Sequence, residues 1–223
     1  MERLLDNYFN LRVLGEFYPS IFGGFIITIE VAILTVILGI GTGLLLAVMR
    51  SFGSRIVNFL IIAYVDLFRT LPQLVVIIVL YFALPYAGVR LSPFAATVIA
   101  LAAVLSAFAA EIFWSAIRSI SSGQSDAAAA LGFGFLGTLF LVILPQAIRL
   151  AIPILTNRSI AIIKGTALGT AASLPEVLGQ AQSAMAIAAN PSPLTLAATL
   201  YLVLFIPLVV ASRWVEQRFG WLH

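Results

Sequence analysis

IFGGFIITIEVAILTVILGIGTGLLLAVM, residues Ile21–Met49, contains a single charged residue, Glu30. A helix needs about 20 predominantly apolar residues to cross a hydrocarbon core of roughly 30 Å, so this run is long enough to span a membrane. Hydrophobic residues make up 62% of the 223-residue chain and charged residues 9%. So few polar side chains cannot cover a water-facing surface. We therefore predict an all-α integral membrane protein.

Four other runs are long and apolar enough to cross a bilayer. The predicted spans are 21–49, 56–86, 93–117, 150–172 and 194–212. Asp66 and Arg69 interrupt the second run, and Arg158 and Lys164 lie inside the fourth. The whole chain, 1–223, is thus predicted to form one transmembrane domain, with two longer segments outside the spans at 118–149 and 173–193.

Residues 1–20 precede the first span and carry charges of both signs. They lack an apolar core with a small-residue cleavage site, so we expect no removable signal peptide. Leu4, Leu5, Tyr8 and Phe9 share a helical face, which favours a segment lying along the membrane interface; a frayed polar terminus is the alternative. Cysteine is absent, which excludes disulfides and thiolate metal sites.

Arginine placement predicts the orientation, because cytoplasmic segments carry the excess of positive charge. With the N-terminus outside, the external segments hold Arg3, Arg12 and Arg90. The cytoplasmic segments then hold twice as many: Arg50, Arg55, Arg118, Arg149, Arg213 and Arg218. We predict a multi-pass protein of the bacterial cytoplasmic membrane with its N-terminus outside, its C-terminus inside, segment 118–149 cytoplasmic and segment 173–193 external.

The cytoplasmic segment contains SSGQSDAAAALGFG, residues 121–134. Its Ser121-x-x-Gln124 pattern is typical of a capping box and Gly132 of a helix stop, which predicts a short helix over Gln124–Leu131. Such a helix is marginal alone, and the small side chains of Ala127–Ala130 allow it to sit in a groove of another protein. Asp126 can add a helix-dipole interaction or an ion pair. An exposed alanine-rich turn is the alternative interpretation.

The same stretch carries a family resemblance. Gly123-Gln124-x-Asp126-Ala127-Ala128-x-x-Leu131-Gly132, followed by Leu144-Pro145-Gln146-Ala147-Ile148-Arg149, Pro153 and Asn157, resembles the EAA loop of permease subunits of bacterial ABC importers. The closest likeness is to the polar amino acid uptake group, which handles histidine, glutamate, glutamine, arginine and opines. Similarity extends to Ala110-Glu111-Ile112, Arg118-Ser119-Ile120, Phe68-Arg69 with Pro72, Lys164-x-Thr166-x-Leu168 and Leu174-Pro175-Glu176.

The resemblance implies the type I importer permease fold and a loop that forms a coupling helix in a cleft of an ATPase subunit. The coupling residues it implies are Gly123, Gln124, Asp126, Ala127, Ala128, Leu131 and Gly132. It implies as partners a cytoplasmic ABC ATPase, which binds ATP and Mg, an extracytoplasmic solute-binding protein and a second permease, identical or homologous, in the lipid bilayer. No nucleic-acid partner is expected. The solute would be a polar amino acid or a similar small molecule.

Three positions depart from the family pattern. Asp126 stands where glutamate is usual, which shortens the reach of the carboxylate by one methylene group. Thr70-Leu71 replaces a usual Gly-Thr pair after Phe68-Arg69. Gly165 stands where an acidic or amide residue is common.

The chain carries no nucleotide-binding loop of its own. Such a loop requires G-x-x-x-x-G-K-[ST], but the only lysine, Lys164, follows Ile160–Ile163. The single histidine, His223, lies at the terminus and provides no histidine-based metal or catalytic site. We therefore expect no enzymatic activity, no metal and no cofactor in this chain, and energy supplied by a partner or an ion gradient.

Charged residues inside predicted spans are costly and suggest function. The candidates for a substrate pathway are Glu30, Asp66, Arg69, Glu111 and Lys164. Asp66 and Arg69 are three residues apart and can pair on one helical face, and Glu111 lies near a helix end where it can reach water. If Glu30 and Arg69 face a cavity, they could hold the ammonium and carboxylate of a zwitterion; structural roles are the alternative.

No internal repeat is visible, so a five-span chain is expected to work as a dimer. Gly39, Gly41 and Gly43 give a small-residue spacing that predicts close helix packing inside the chain, with a subunit interface as the alternative. Two other functions remain open on sequence alone. The chain could belong to a gradient-driven transporter or channel, or it could be a scaffold that anchors another enzyme.

Overall fold

The computed structural model describes residues 6–219 and is almost entirely helical there. Helices α1 (Leu11–Ser51), α2 (Arg55–Thr70), α4 (Pro93–Ser119) and α5 (Ser122–Ala130) are uninterrupted. Helix α3 (Gln73–Ile78) continues through a π-helical segment (Val79–Ala83) and a 3₁₀ segment (Leu84–Ala87). Helix α6 has four parts in chain order: Phe135–Gly137, a π-helical segment (Thr138–Ile143), Leu144–Ile163 and a 3₁₀ segment (Lys164–Ala172). Helices α7 (Val177–Ala188) and α8 (Ser192–Phe219) follow.

The expectation of an all-α chain with about five spans is confirmed. In the described part of the chain, α1, α4, α6 and α8 are each long and apolar enough to cross a membrane, and α2 with α3 makes a fifth span if the two count as one broken span. The predicted continuous span 56–86 is broken because Pro72 has no N–H and disfavours helix at Leu71. Helix α6 begins at Phe135, well before the predicted start at Leu150.

Both π-helical segments end two residues before a proline. Val79–Ala83 precedes Pro85, and Thr138–Ile143 precedes Pro145. A proline cannot donate to the carbonyl four residues earlier and its ring crowds that turn, so widening the preceding turn lets the helix continue. This relief allows α6 to run without a break through the Leu144-Pro145 pair.

The described residues group into two compact units. The first unit comprises 6–37, 71–102 and 160–208, and the second comprises 38–70, 103–159 and 209–219. Helices α1, α4, α6 and α8 each contribute residues to both units.

In the first unit, α7 packs into a core. Val177, Ala181 and Ala184 are buried against Ile21 of α1 and Ala197 of α8. The apolar face of α7 is thus covered by its own chain.

Residues before α1 are tied to the α7–α8 turn. The Asn10 amide donates to Ser192 Oγ at 3.0 Å, and Asn190 Nδ2 donates to the Asp6 carbonyl at 3.0 Å. Tyr8 and Phe9 are exposed, whereas Leu4 and Leu5 lie outside the described residues.

Gly165 lies where the first unit is too tightly packed for a side chain. A Cβ at buried Gly165 would collide with Oε1 of Gln73 and come within 3.1 Å of Leu101 Cδ2. The side chain that is absent at 165 is thus replaced in space by the amide of Gln73 on α3.

In the second unit, small residues bring α1 against α4. A Cβ at Gly39 would lie 2.8 Å from the Leu105 side chain, and one at Gly43 would lie 2.5 Å from Ala109 Cβ. Gly41 faces open space. The prediction that the glycines serve packing inside the chain is confirmed for Gly39 and Gly43. A core lined by alanines continues to α6: Ala47, Ala109, Phe113, Ala116, Ala147, Ala151 and Leu155.

Candidate functional site

The polar element of the second unit is a capped two-turn helix, α5. Ser121 is its N-cap, and the serine Oγ accepts from the Gly123 amide at 3.3 Å. The second half of the predicted capping box is absent, because Gln124 Oε1 instead accepts from Gln146 Nε2 at 3.3 Å. The helix starts at Ser122, two residues earlier than the sequence predicted.

The C-terminus of α5 closes as the sequence predicts. Gly132 has a φ of +84°, which a residue with a Cβ adopts only with strain. The Phe133 amide donates to the Ala128 carbonyl at 3.0 Å and the Gly132 amide to the Ala129 carbonyl at 3.0 Å, which is the Schellman pattern. The helix is therefore fixed at both ends.

The proposed coupling residues divide between two faces of α5. Ala128 is only 4% exposed and packs against its own chain. Gly123, Gln124, Asp126 and Ala127 are exposed, and Leu131 is 79% exposed. Of the four alanines at 127–130, only Ala128 is buried by the chain itself, and the other three are exposed.

Asp126 lies beyond the first turn of α5. A helix terminus acts mainly on charges in its first turn, so the predicted dipole contribution is small. Within the described residues, the Asp126 carboxylate has no hydrogen-bond or ion-pair partner, and it remains available to another protein.

Helix α5 is connected to one face of α6. Gln146, which binds Gln124, also anchors its amide to the Val142 carbonyl at 2.7 Å. Leu150, Ile154 and Arg158 follow Gln146 at intervals of four residues, so each lies next to the preceding one along α6. These three side chains line a cavity of ≈ 330 Å³ in the second unit.

The cavity is walled by α2, α4 and α6. Its polar lining residues are Arg69, Glu111, Ser115, Ser119 and Arg158, and its apolar ones include Phe108, Ile112 and Leu150. Of the predicted pathway residues, the fold therefore brings Arg69 and Glu111 together.

Two arginines of the cavity share one aromatic ring. The guanidinium carbon of Arg158 lies 4.0 Å from the Phe108 ring centroid and that of Arg69 lies 5.4 Å from it. Cation–π attraction favours both placements. Neither guanidinium has a carboxylate within 4.0 Å among the described residues, so two positive charges face the cavity without compensation.

Glu111 is neutralised by a partner that the sequence did not reveal. Arg50 Nη1 donates to Glu111 Oε2 at 3.2 Å, and the Arg50 guanidinium lies 4.7 Å from the centroid of a Trp114 ring. The bridge ties the end of α1 to α4. This pairing depends on the close approach of α1 and α4, which short-range spacing in the sequence does not report.

The other predicted pathway residues do not line this cavity. Asp66 is exposed and forms no ion pair with Arg69, so the predicted pair is wrong. Glu30 and Lys164 belong to the first unit, and Lys164 Nζ lies 5.8 Å from the Phe205 ring centroid. The suggested joint binding of a zwitterion by Glu30 and Arg69 therefore finds no support in the cavity.

The first unit holds a buried carboxylate that sequence reasoning passed over. Glu176 is 0% exposed and caps α7. Its Oε1 accepts from Thr170 Oγ1 and from the Gly179 amide, both at 2.8 Å, and its Oε2 accepts from the Tyr201 hydroxyl at 2.5 Å. At an N-cap position, a side-chain oxygen accepts from the amides of the first turn, and Glu176 takes this role for α7.

The chain is similar in sequence to known transport proteins. Residues 39–221 match the sequence model of the family described as "Binding-protein-dependent transport system inner membrane component". A probable glutamine ABC transporter permease, GlnP of Bacillus subtilis (strain 168), is 34% identical over 91% of this chain and 95% of its own length. The L-cystine transport permease TcyB of the same organism is 36% identical over 75% and 71%.

Solved structures agree on the fold. The crystal structure of an amino acid ABC transporter with histidines superposes with a TM-score of 0.82 at 28% identity, covering 92% of this chain and 96% of that one. An inward-facing form of the MetNI methionine ABC transporter gives a TM-score of 0.67 at 20% identity and shares the fold.

Proposed function

The chain belongs to the family of binding-protein-dependent transport system inner membrane components, and from that membership we propose that it carries a polar amino acid through the membrane for an ABC importer. The observation that carries the proposal is the second unit, in which an exposed, capped helix is joined through one helix face to a cavity lined by charged side chains. Relatives named as glutamine and cystine permeases support the amino acid class.

Energy enters through a separate ATPase subunit that binds ATP and Mg. The chain lacks the glycine-rich loop that cradles phosphate, so it is the transport subunit and performs no hydrolysis. The exposed face of α5, with Gln124, Asp126, Ala127 and Leu131, is the docking surface for that ATPase. Small side chains there let the helix sit deep in a cleft.

Movement of α5 reaches the cavity through α6. When the ATPases close, they shift α5. The Gln124–Gln146 hydrogen bond then transmits this shift to α6, which carries Leu150, Ile154 and Arg158. Because packed helices shift as rigid elements, displacement at Gln146 repositions Arg158 in the cavity. Solute access therefore alternates with the ATPase cycle.

The N-terminus lies outside and the C-terminus inside the cytoplasmic membrane. The arginine distribution supports this orientation. An extracytoplasmic solute-binding protein then meets the α6–α7 turn and α7, where Gln182 and Ser183 are exposed beside a polar cavity of ≈ 300 Å³. Two permeases, identical or homologous, form the complex.

Reconstitution tests the proposal. The complete complex is placed in proteoliposomes with its binding protein, and uptake of radiolabelled amino acids is measured. We expect uptake that requires ATP and stops with vanadate. Ion-gradient-dependent flux from this chain alone would establish the gradient-driven alternative. Absence of flux with every combination of subunits would favour the interpretation of the chain as a scaffold that anchors another enzyme.

Coupling is tested at the exposed face of α5. Ala127→Trp is expected to lower uptake at least tenfold while membrane insertion and assembly stay normal, because the indole cannot enter the docking cleft. Ala127→Ser, a change of similar size to the native side chain, serves as the control and keeps uptake within twofold. Normal uptake by Ala127→Trp would overturn the assigned docking face.

A further inference from the structure

The charges around the ≈ 330 Å³ cavity do not balance. Arg69 and Arg158 contribute two positive charges, while the single carboxylate, Glu111, is already matched by Arg50 at 3.2 Å. The cavity and its ion pair together therefore carry a net charge of about plus two. Placing unpaired guanidinium groups in membrane helices is costly, and an anionic ligand in the cavity would offset that cost.

The two arginines line the same cavity and contact the same aromatic ring. Each lies over the Phe108 ring, at 4.0 Å and 5.4 Å from its centroid. The planar guanidinium fork donates two parallel hydrogen bonds to a carboxylate. A solute with two carboxylates can therefore engage Arg69 and Arg158 separately, whereas a neutral amino acid satisfies only one of them.

Glu111 provides the complementary contact for an amine. Its Oε2 accepts from Arg50, but its Oε1 has no hydrogen-bond partner among the described residues. Its side chain is 40% exposed and lines the same cavity. An α-ammonium group can thus bind Glu111 while both carboxylates face the arginines.

We propose that this cavity selects acidic amino acids, binding a dicarboxylate such as glutamate or aspartate ahead of neutral amino acids and rejecting those with cationic side chains. The inference rests on the proposed function and names the substrate class for the same site. Arg158 and Arg69 are its specificity-determining residues. Cation–π contacts to the Phe108 ring position both guanidinium groups.

The test measures binding to the permease–ATPase complex without the solute-binding protein, since that protein imposes a selectivity of its own. Radiolabelled glutamate, aspartate, glutamine and arginine are titrated onto the detergent-solubilised complex. Glutamate is expected to bind at least tenfold more tightly than glutamine, and arginine more weakly than either. Equal or tighter binding of glutamine or arginine would overturn the inference.

Two variants locate the preference. Arg158→Gln should reduce the glutamate preference over glutamine to threefold or less, whereas Arg55→Gln, at an exposed arginine outside the cavity, should leave it unchanged. An unchanged preference in Arg158→Gln would overturn the role of the cavity. Arg158→Lys keeps the charge and should retain more of the preference than Arg158→Gln.

The outcome separates the inference from the proposed function. If the complete complex imports amino acids with ATP but the permease–ATPase complex binds glutamine or arginine as tightly as glutamate, the selectivity inference fails and the importer function stands. If no amino acid is imported by the complete complex, the proposed function itself fails.

Discussion

Two charged centres of this protein are built in opposite ways. In the first unit, the Glu176 carboxylate is fully buried and three donors hold its oxygens at 2.5 to 2.8 Å. In the second unit, Arg69 and Arg158 are exposed at a cavity and lack carboxylate partners among the described residues. A charge whose hydrogen bonds are all made inside the chain stabilises the fold, and a charge left open is available to a ligand.

The contrast also separates stability from transport. Removing a buried carboxylate that accepts several hydrogen bonds leaves its donors without acceptors, and this lowers the free energy of unfolding. Removing an exposed arginine without a carboxylate partner leaves no group of the protein unsatisfied. We therefore expect stability to be retained and only the affinity for the ligand to fall. The following substitutions test whether the two centres respond in these different ways.

Replacing Glu176 should have the largest effect. Glu176→Ala leaves the Gly179 amide and the Tyr201 hydroxyl without their acceptor, whereas the Thr170 hydroxyl keeps the Ala167 carbonyl at 2.8 Å. We therefore expect a loss of about 3 kcal/mol of stability, with buried unsatisfied donors costing roughly 1–3 kcal/mol each when relaxation is incomplete. The measurement is the thermal transition of the purified complex in detergent. Glu176→Gln keeps an acceptor for the cap and should lose less than half as much; a wild-type transition for Glu176→Ala would remove the assigned structural role.

Gly165 tests how tightly the first unit is packed. Gly165→Ala places a methyl group against the Gln73 amide, and overpacking of this kind costs about 1–3 kcal/mol. Gln73→Ala should restore part of the lost thermal stability in the double variant, since the two side chains compete for one space. Additive effects of the two substitutions would contradict that competition.

Arg69 tests the open centre. Arg69→Gln is expected to lower ATP-driven uptake about tenfold, equivalent to roughly 1.4 kcal/mol of lost binding, while the thermal transition stays within the small range typical of surface changes. Asp66→Asn, three residues earlier and outside the cavity, is the control and should leave uptake near wild type. A large fall in thermal stability for Arg69→Gln would show that its role is structural.

Asp126 should give the smallest effect. An exposed ion pair contributes about 0.2–1 kcal/mol, so Asp126→Asn should reduce coupled uptake only about two- to threefold. Asp126→Glu, which extends the carboxylate by one methylene group, should equal or exceed the wild type. Complete loss of coupling in Asp126→Asn would mean that the contact is desolvated rather than exposed.

Local features of the sequence predicted local features of the fold. The apolar runs predict the spans, Ser121 predicts the start of α5 to within two residues, and Gly132 predicts its end. Each of these depends on residues close together in the chain. Pro72 is the local signal for the break in the second span. The length of the apolar run 56–86 nevertheless predicts one continuous span.

Long-range pairings were not predictable in the same way. The Arg50–Glu111 bridge and the burial of Ala128 depend on how α1, α4, α5 and α6 pack, which no short spacing records. For the cavity, the four-residue spacing of Leu150, Ile154 and Arg158 predicts a shared helix face. It does not reveal that Phe108 of α4 faces the same space.

Cross-linking from α5 tests the central claim most directly. Because the chain has no cysteine, Ala127→Cys creates a unique attachment point for a thiol-reactive benzophenone, and Ala186→Cys, an exposed alanine on α7, is the matched control. In the membrane-embedded, transport-active complex, we predict illumination to link the ATPase subunit to residue 127 and not to residue 186. Linkage from residue 186, or none from residue 127 in an active complex, would contradict α5 as the ATPase-docking helix.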